Sequence, residues 1–501
     1  MLPAAAATRP ARAVPVLRLA WLALVLLTLV RLLVAASTPL APDEAYYWTW
    51  SHALAPGYLD HPPMTALWIR AGCLLAGDTP LGIRLLGPLA AALGSVLVVD
   101  ACADLAAPAG GTTRPAGLAA AALLNATLLL GVGAVTMTPD TPLMACWTLA
   151  LWCLARLLRS GRGVWWLATG AAIGLAMDSK YTALLPAAGV GAWLLVTRAG
   201  RRWAVTPWPW LGALISALVF APVILWNARH GWASFAKQGG RTGAWHPADA
   251  LRYLGELVGG QAGLATPLIF CLFVAGIWRL CRRPLRGQPG PALLCWVTLL
   301  PLAVFVQHAL GDRVQANWPS PLYPACAMAA ATLGWRWKPA AGLGLAITGL
   351  VYAQAVDAPL RLPRHLDVTL VRLAGWPALA RVVGGWPEAR RGFIVADEYG
   401  LAAELAFYLP GRTVLAAEPR WRLFALPHPA LAGRTGLLLR DARRHDAIDP
   451  KLFARVVPLG EIARERDGEV ARFYRLYRVT IRSPLPSRLA TEIAALPRPY
   501  R

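Results

Sequence analysis

Along this chain apolar residues come in long blocks separated by short segments rich in arginine. The blocks fall near 15–37, 82–106, 115–136, 140–158, 164–178, 181–197, 209–227, 263–281, 291–310, 317–334 and 338–357. Several reach the ~20 residues that a helix needs to cross a bilayer. The pattern predicts eleven spanning helices. The longest intervening segments, 38–81 and 228–262, mix Trp, Tyr and His with short apolar stretches, as helices lying in a membrane interface do. From about 360 onward the apolar runs shorten to strand length. Gly392–Asp397, Thr413–Ala416, Thr435–Leu439 and Ala471–Ile481 read as strands, and Tyr399–Leu409 as a short helix. The expected architecture is an all-α polytopic membrane body over 1–359, a small α/β domain over 360–482, and a weakly ordered tail over 483–501.

Composition agrees. Of 501 residues, 57% are hydrophobic and 15% charged, against roughly 25% charged in ordinary soluble proteins. The formal charge is +23, and its distribution gives the reason. With the N-terminus inside, inner segments carry sixteen Lys and Arg, including Arg156, Arg159, Arg162, Arg198, Arg201 and Arg202, whereas outer segments carry eight. That asymmetry orients the chain, and an odd number of spans exports the C-terminal domain. No aromatic-basic module accompanies the charge, so nucleic acid is excluded as a partner. Eight cysteines are scattered without metal-site spacing and read as small core residues. The first apolar run lacks a convincing cleavage site and reads as a retained helix.

The chemistry concentrates in the first outer segment, Pro42-Asp43-Glu44-Ala45-Tyr46-Tyr47-Trp48 followed by Gly57-Tyr58-Leu59-Asp60-His61-Pro62-Pro63. Three carboxylates and His61 lie within nineteen residues, directly after a spanning helix. A plain structural reading exists, because Asp43 could cap a helix starting at Glu44. Ionisable groups among aromatics at a membrane edge are more often functional. The stretch resembles the bacterial GT-C glycosyltransferases, relatives of protein O-mannosyltransferases and lipid A aminoarabinose transferases. The resemblance continues through Thr138-Pro139-Asp140-Thr141-Pro142-Leu143, Ser179-Lys180-Tyr181-Thr182, Trp226-Asn227 to Arg241, Asn317-Trp318-Pro319, and Ala402-Ala403-Glu404 to Pro410. His61 stands where the aminoarabinose transferases have lysine, so their exact phosphate contact does not carry over.

The resemblance implies a GT-C fold and transfer of a sugar from a polyprenyl-phosphate donor to a lipid-linked or envelope glycan acceptor. The expected setting is the outer face of a bacterial inner membrane. An inverting displacement needs one carboxylate base and no covalent nucleophile; the resemblance implies Asp43 as base and Glu44 as its helper. Asp60 and Asp140 are expected to orient sugar hydroxyls or, with His61, to hold a divalent cation; no cofactor is otherwise called for. Asp140 also suits an ordinary helix start. The leaving phosphate should meet fixed positive charge, for which Lys180, Arg229, Arg241 and His61 are candidates; pairing of Lys180 with Asp178 is the structural alternative. Arg31 either snorkels outward or counters a carboxylate. The reading requires acidic and basic side chains of separate outer segments to meet in one hollow. Two other readings remain open: a protein O-mannosyltransferase, and a lipid or sugar transporter, although no internal repeat points to the latter.

Overall fold

The computed structural model describes residues 13–106, 114–240, 245–282, 288–334 and 336–499. Six helices are long and apolar enough to cross a membrane: Val16–Ser37, Pro80–Leu105, Asp140–Ser160, Trp208–Arg229, Pro289–Ala309 and Trp337–Val356. Three helix pairs pass the same test together but bend at a short break: Pro115–Asn125 with Leu128–Val135, Tyr181–Val196 with Arg198–Ala204, and Pro247–Ala265 with Pro267–Arg282. Counting each pair as one span gives up to nine among the described residues, not eleven. The difference lies in two blocks that are helical but short. Trp165–Met177 has 13 residues, and 317–334 holds a single turn of 3-10 helix followed by the 9-residue helix Tyr323–Ala331. A helix buried on all sides is apolar all round, so hydropathy alone does not distinguish it from a span.

The breaks have local causes. Thr127 caps the Leu128–Val135 limb, its hydroxyl accepting a hydrogen bond from the Leu130 N–H at 3.2 Å. At the sharpest bend, 107°, Pro267 has no N–H to continue the ladder and Thr266 sits at φ +71°. Asn125, beside the first break, takes up Arg31. The guanidinium is buried and donates to the Asn125 side-chain oxygen at 2.8 Å, so Arg31 neither snorkels nor meets a carboxylate.

The C-terminal domain is a six-stranded sheet in the order β4-β5-β3-β1-β2-β6, with β1 Ile394–Ala396, β2 Val414–Ala417, β3 Thr435–Asp441, β4 Phe453–Arg466, β5 Glu469–Ile481 and β6 Ile493–Ala495. β1 runs parallel to both β2 and β3, and the outer pairings are antiparallel. The Tyr399–Tyr408 helix makes the crossover from β1 to β2. Expected strands and helix all appear within a few residues. The 483–501 tail, expected to be weakly ordered, supplies β6 against β2. β4, which the pattern missed, is one of the two edge strands, with register irregularities between Pro458 and Gly460 and between Arg464 and Glu465. Apart from Phe453 and Arg464 it has no buried residue, hence no apolar alternation to detect.

The parallel strands end together, delivering Asp397-Glu398-Tyr399 after β1 and Glu418-Pro419-Arg420 after β2. β1, flanked on both sides by strands that follow it in sequence, is the switch point where open α/β sheets carry their working residues. This edge sits on the Pro42–Ser51 helix. Tyr46, Trp48 and Trp50 share one buried apolar cluster with Leu401, Leu405 and Trp421 of the sheet domain. The contact is close: a Cβ on Gly400 would lie 2.7 Å from Pro42 Cβ. The first loop is thus the seat of the sheet domain, which brings the strand ends over the densest motif.

Candidate active site

Two polar clusters form at this end of the helical body. The first gathers around Asp43 and Asp60. The Pro42–Ser51 helix begins two residues before the expected start, with Pro42 at its first position, where a missing N–H is harmless. Asp43 falls in its first turn and Tyr46 at the start of the next. Asp43 accepts a hydrogen bond from the Tyr399 hydroxyl at 3.1 Å, across 356 positions of sequence. Asp60 accepts from the Tyr46 hydroxyl at 2.9 Å, from Arg420 at 3.2 Å and from Lys237 of the Ala233–Gly240 helix. Burial raises the Asp60 pKa, but the Arg420 guanidinium and the Lys237 ammonium outweigh it and hold the carboxyl below its ordinary value. Arg420 also lies 3.3 Å from Glu418, and its guanidinium stacks 4.1 Å above the Tyr399 ring. Burial pushes Glu418 up to about 7, against the opposing pull of Arg420. His61 lies next to this cluster, its ring edge-on to Tyr47 at 6.3 Å.

The second cluster centres on Asp140, at the start of the Asp140–Ser160 helix. Lys180 reaches both carboxylate oxygens at 2.9 Å, Asn317 donates at 2.6 Å and Ser320 at 2.7 Å. Lys180 is paired with Asp140 rather than Asp178. Three of the sequence motifs therefore converge on one carboxylate. Beside it opens a cavity of about 210 Å³, walled by Gly87, Ala91, Gly133 and Leu264, with Asp140 and Asn317 on its polar side. Asp43 and Asp60 do not line it. Among the described residues Asp43 and Asp60 share no hydrogen-bond partner with Asp140, and the cavity lies on the Asp140 side. Residues flanking the two clusters are in contact: Met64 N–H donates to the Asp178 carbonyl at 3.0 Å, and Met137 N–H to the Glu44 side chain at 2.8 Å.

The Glu44 carboxylate is 1% exposed and accepts from Arg84 at 2.6 and 2.7 Å as well as from the Met137 and Ala41 N–H groups. Arg84 in turn donates to the carbonyls of Ala35, Thr38 and Pro39. Both Glu44 oxygens are thus engaged by Arg84 and by backbone N–H groups in a buried ion pair that ties the first loop to the helical body. Arg229 ends the Trp208–Arg229 helix exposed, with no ion pair to these carboxylates among the described residues. Arg241 lies outside the described residues. The metal candidates do not converge: Asp60 is held by cations and Asp140 by Lys180, Asn317 and Ser320. No group of three or more His, Cys, Asp or Glu suited to a metal occurs among the described residues.

Tyr399, Arg420, Lys237 and Ser320 were not singled out by the sequence. Lys237 was one of few cations on an outer segment, a usable signal; the strand-end position of Arg420 is visible only once the sheet is built.

Fold and site together define a class: a membrane-embedded helical body whose acidic end is roofed by a small sheet domain. The model of the dolichyl-phosphate-mannose-protein mannosyltransferase family matches residues 60–226. The lipid A galacturonosyltransferase RgtD of Rhizobium johnstonii is 28% identical over 386 residues, covering 73% of this chain and 77% of that protein. The crystal structure of ArnT from Cupriavidus metallidurans in the apo state superposes with a TM-score of 0.60 at 17% identity, covering 93% of this chain and 98% of that one. A second ArnT structure, bound to undecaprenyl phosphate, gives 0.59. The chain shares the ArnT-like GT-C fold and carries the apolar helices of a multi-pass membrane protein.

Proposed function

We propose that this enzyme transfers a sugar from a polyprenyl phosphate to a lipid-linked acceptor of the cell envelope, with lipid A the first acceptor to assay. The observation that carries the reading is the Asp43–Asp60 cluster, where carboxylates and two cations meet beneath the sheet domain. RgtD, by its name, acts on lipid A, and a structural neighbour holds undecaprenyl phosphate; both support the substrate class. The outer face of the inner membrane is the side we assign to the site. Arg156, Arg159 and Arg162 cluster at the far end of the Asp140–Ser160 helix, opposite Asp140, as positively charged loops on the inner side do.

In this reading Asp43 accepts the proton of the acceptor hydroxyl as its oxygen attacks the anomeric carbon. The bond from that carbon to the phosphate oxygen breaks, the polyprenyl phosphate leaves with the electron pair, and configuration inverts. Arg420, Lys237 and His61 supply positive charge near the departing phosphate. Asp43→Asn keeps the size and removes the base. Its expected outcome is loss of transfer by at least about 10²-fold with unchanged insertion and thermal midpoint; near-normal turnover would refute the assignment. Mass spectrometry of lipid A with and without the protein reads the sugar increment. An unchanged lipid A together with a modified envelope protein would favour the protein-directed reading that the family model's description suggests.

A further inference from the structure

The sheet domain carries a residue aimed at the proposed base. Tyr399 opens the Tyr399–Tyr408 helix, and its backbone is fixed by Glu398, whose carboxylate accepts the N–H groups of Gly400 at 2.9 Å and Leu401 at 2.6 Å. Its ring is held from two sides, by Tyr46 at 4.5 Å between centroids and by the Arg420 guanidinium at 4.1 Å. Arg420 is itself anchored on Asp60 and Glu418. The phenol therefore has little freedom, and its hydroxyl donates to Asp43 Oδ1 at 3.1 Å. Burial, with Asp43 adding to it, raises the Tyr399 pKa, so the hydroxyl keeps its proton and acts as donor. Among the described residues this is the one hydrogen bond to the Asp43 side chain, and Oδ2 carries none.

We propose that Tyr399 is a positioning residue: it turns the Asp43 carboxylate so that Oδ2 faces the acceptor hydroxyl, with Arg420 bracing the phenol from the other side. The sheet domain is then part of the catalytic machinery and not an appended module. This rests on the reading of Asp43 as base. A carboxylate on a helix's first turn rotates about two torsions, and a base misdirected by even about 1 Å loses on the order of 10²-fold in rate. Tyr399 removes that freedom at the cost of one oxygen, which the proton transfer does not need.

The test compares three variants of the full-length enzyme, reconstituted with donor and acceptor lipids. Tyr399→Phe deletes only the hydroxyl. A positioning role predicts a kcat about tenfold or more below wild type, with the KM for donor within about twofold and an unchanged thermal midpoint. A purely structural role would lower the midpoint and the active fraction without that split. Gly400→Ala keeps both hydrogen-bonding side chains but forces the Tyr399 and Asp43 helices apart, since its methyl would meet Pro42 Cβ at 2.7 Å. It should reproduce the kcat defect, and it decides the matter if Tyr399→Phe does not fold. Asp43→Asn run alongside separates the two readings. An inactive Asp43→Asn beside a fully active Tyr399→Phe overturns this inference and leaves the base standing. An active Asp43→Asn overturns the base and this inference with it.

Discussion

Asp43 and Glu44 are neighbours with opposite fates, and helix geometry explains why. Successive residues on an α-helix point about 100° apart, so one carboxylate faces the polar cluster while the other turns inward to Arg84. In the sequence the two acids are equivalent. What separates them is a guanidinium forty positions away, which no local pattern announces. Glu44→Gln should leave Arg84 buried against a neutral partner, a loss of about 3–5 kcal/mol for breaking such a pair. The expected outcome is a lower thermal midpoint in detergent and poor yield, while the folded fraction keeps the wild-type kcat. A folded, stable but slow Glu44→Gln would return Glu44 to the chemistry.

At the level of elements, the motifs were legible and their meeting points were not. Thr138-Pro139-Asp140, Ser179-Lys180 and Asn317 to Ser320 each sit at an end of a helix, which polar and proline punctuation revealed. Only the fold shows that all three serve one carboxylate. Lys180→Met should leave Asp140 buried and lacking its counter-charge, lowering stability by about 3–5 kcal/mol. The double variant Lys180→Met, Asp140→Asn should recover part of that loss, because the stranded charge is removed as well. Equal midpoints for the single and double variants would show that the stranded Asp140 charge carries no cost. β1, β2 and β3 were readable because they are buried apolar runs; β4 was hidden because an edge strand need not alternate.

For the molecule as a whole, the sequence told that a membrane body is followed by an α/β domain, and left open how the two are joined. The joint depends on contacts such as Tyr399 to Asp43 and Arg420 to Asp60, each more than 350 positions apart, which periodicity cannot reach. The joint also contains Glu418, whose pKa is about 7 against an ordinary 4.5. Between those values the folded protein holds a proton that the unfolded chain has released. Native stability therefore falls as pH rises through that window and levels off above it. Asp60, held below its ordinary 3.8, acts in the opposite direction and only in more acidic solution. Glu418→Gln should flatten the slope of the thermal midpoint between about pH 4.5 and 7. An unaltered slope would place the titration elsewhere.

The edge strand β4 has a bearing on life in a crowded bilayer. Membrane anchoring holds every copy at the same height, so the free margins of neighbouring sheet domains drift level with one another and collide far more often than they would in three dimensions. β4 is long, at 14 residues, and in a flat, apolar form it would invite neighbours to zip together. Instead Pro458 withholds a donor, the irregularities on either side break the rhythm, and Arg455, Glu461, Glu465 and Arg466 line it with charge. Smoothing that margin should increase strand-to-strand association between neighbouring copies, read as cross-linked oligomers in the membrane, while leaving the Asp43–Asp60 cluster intact.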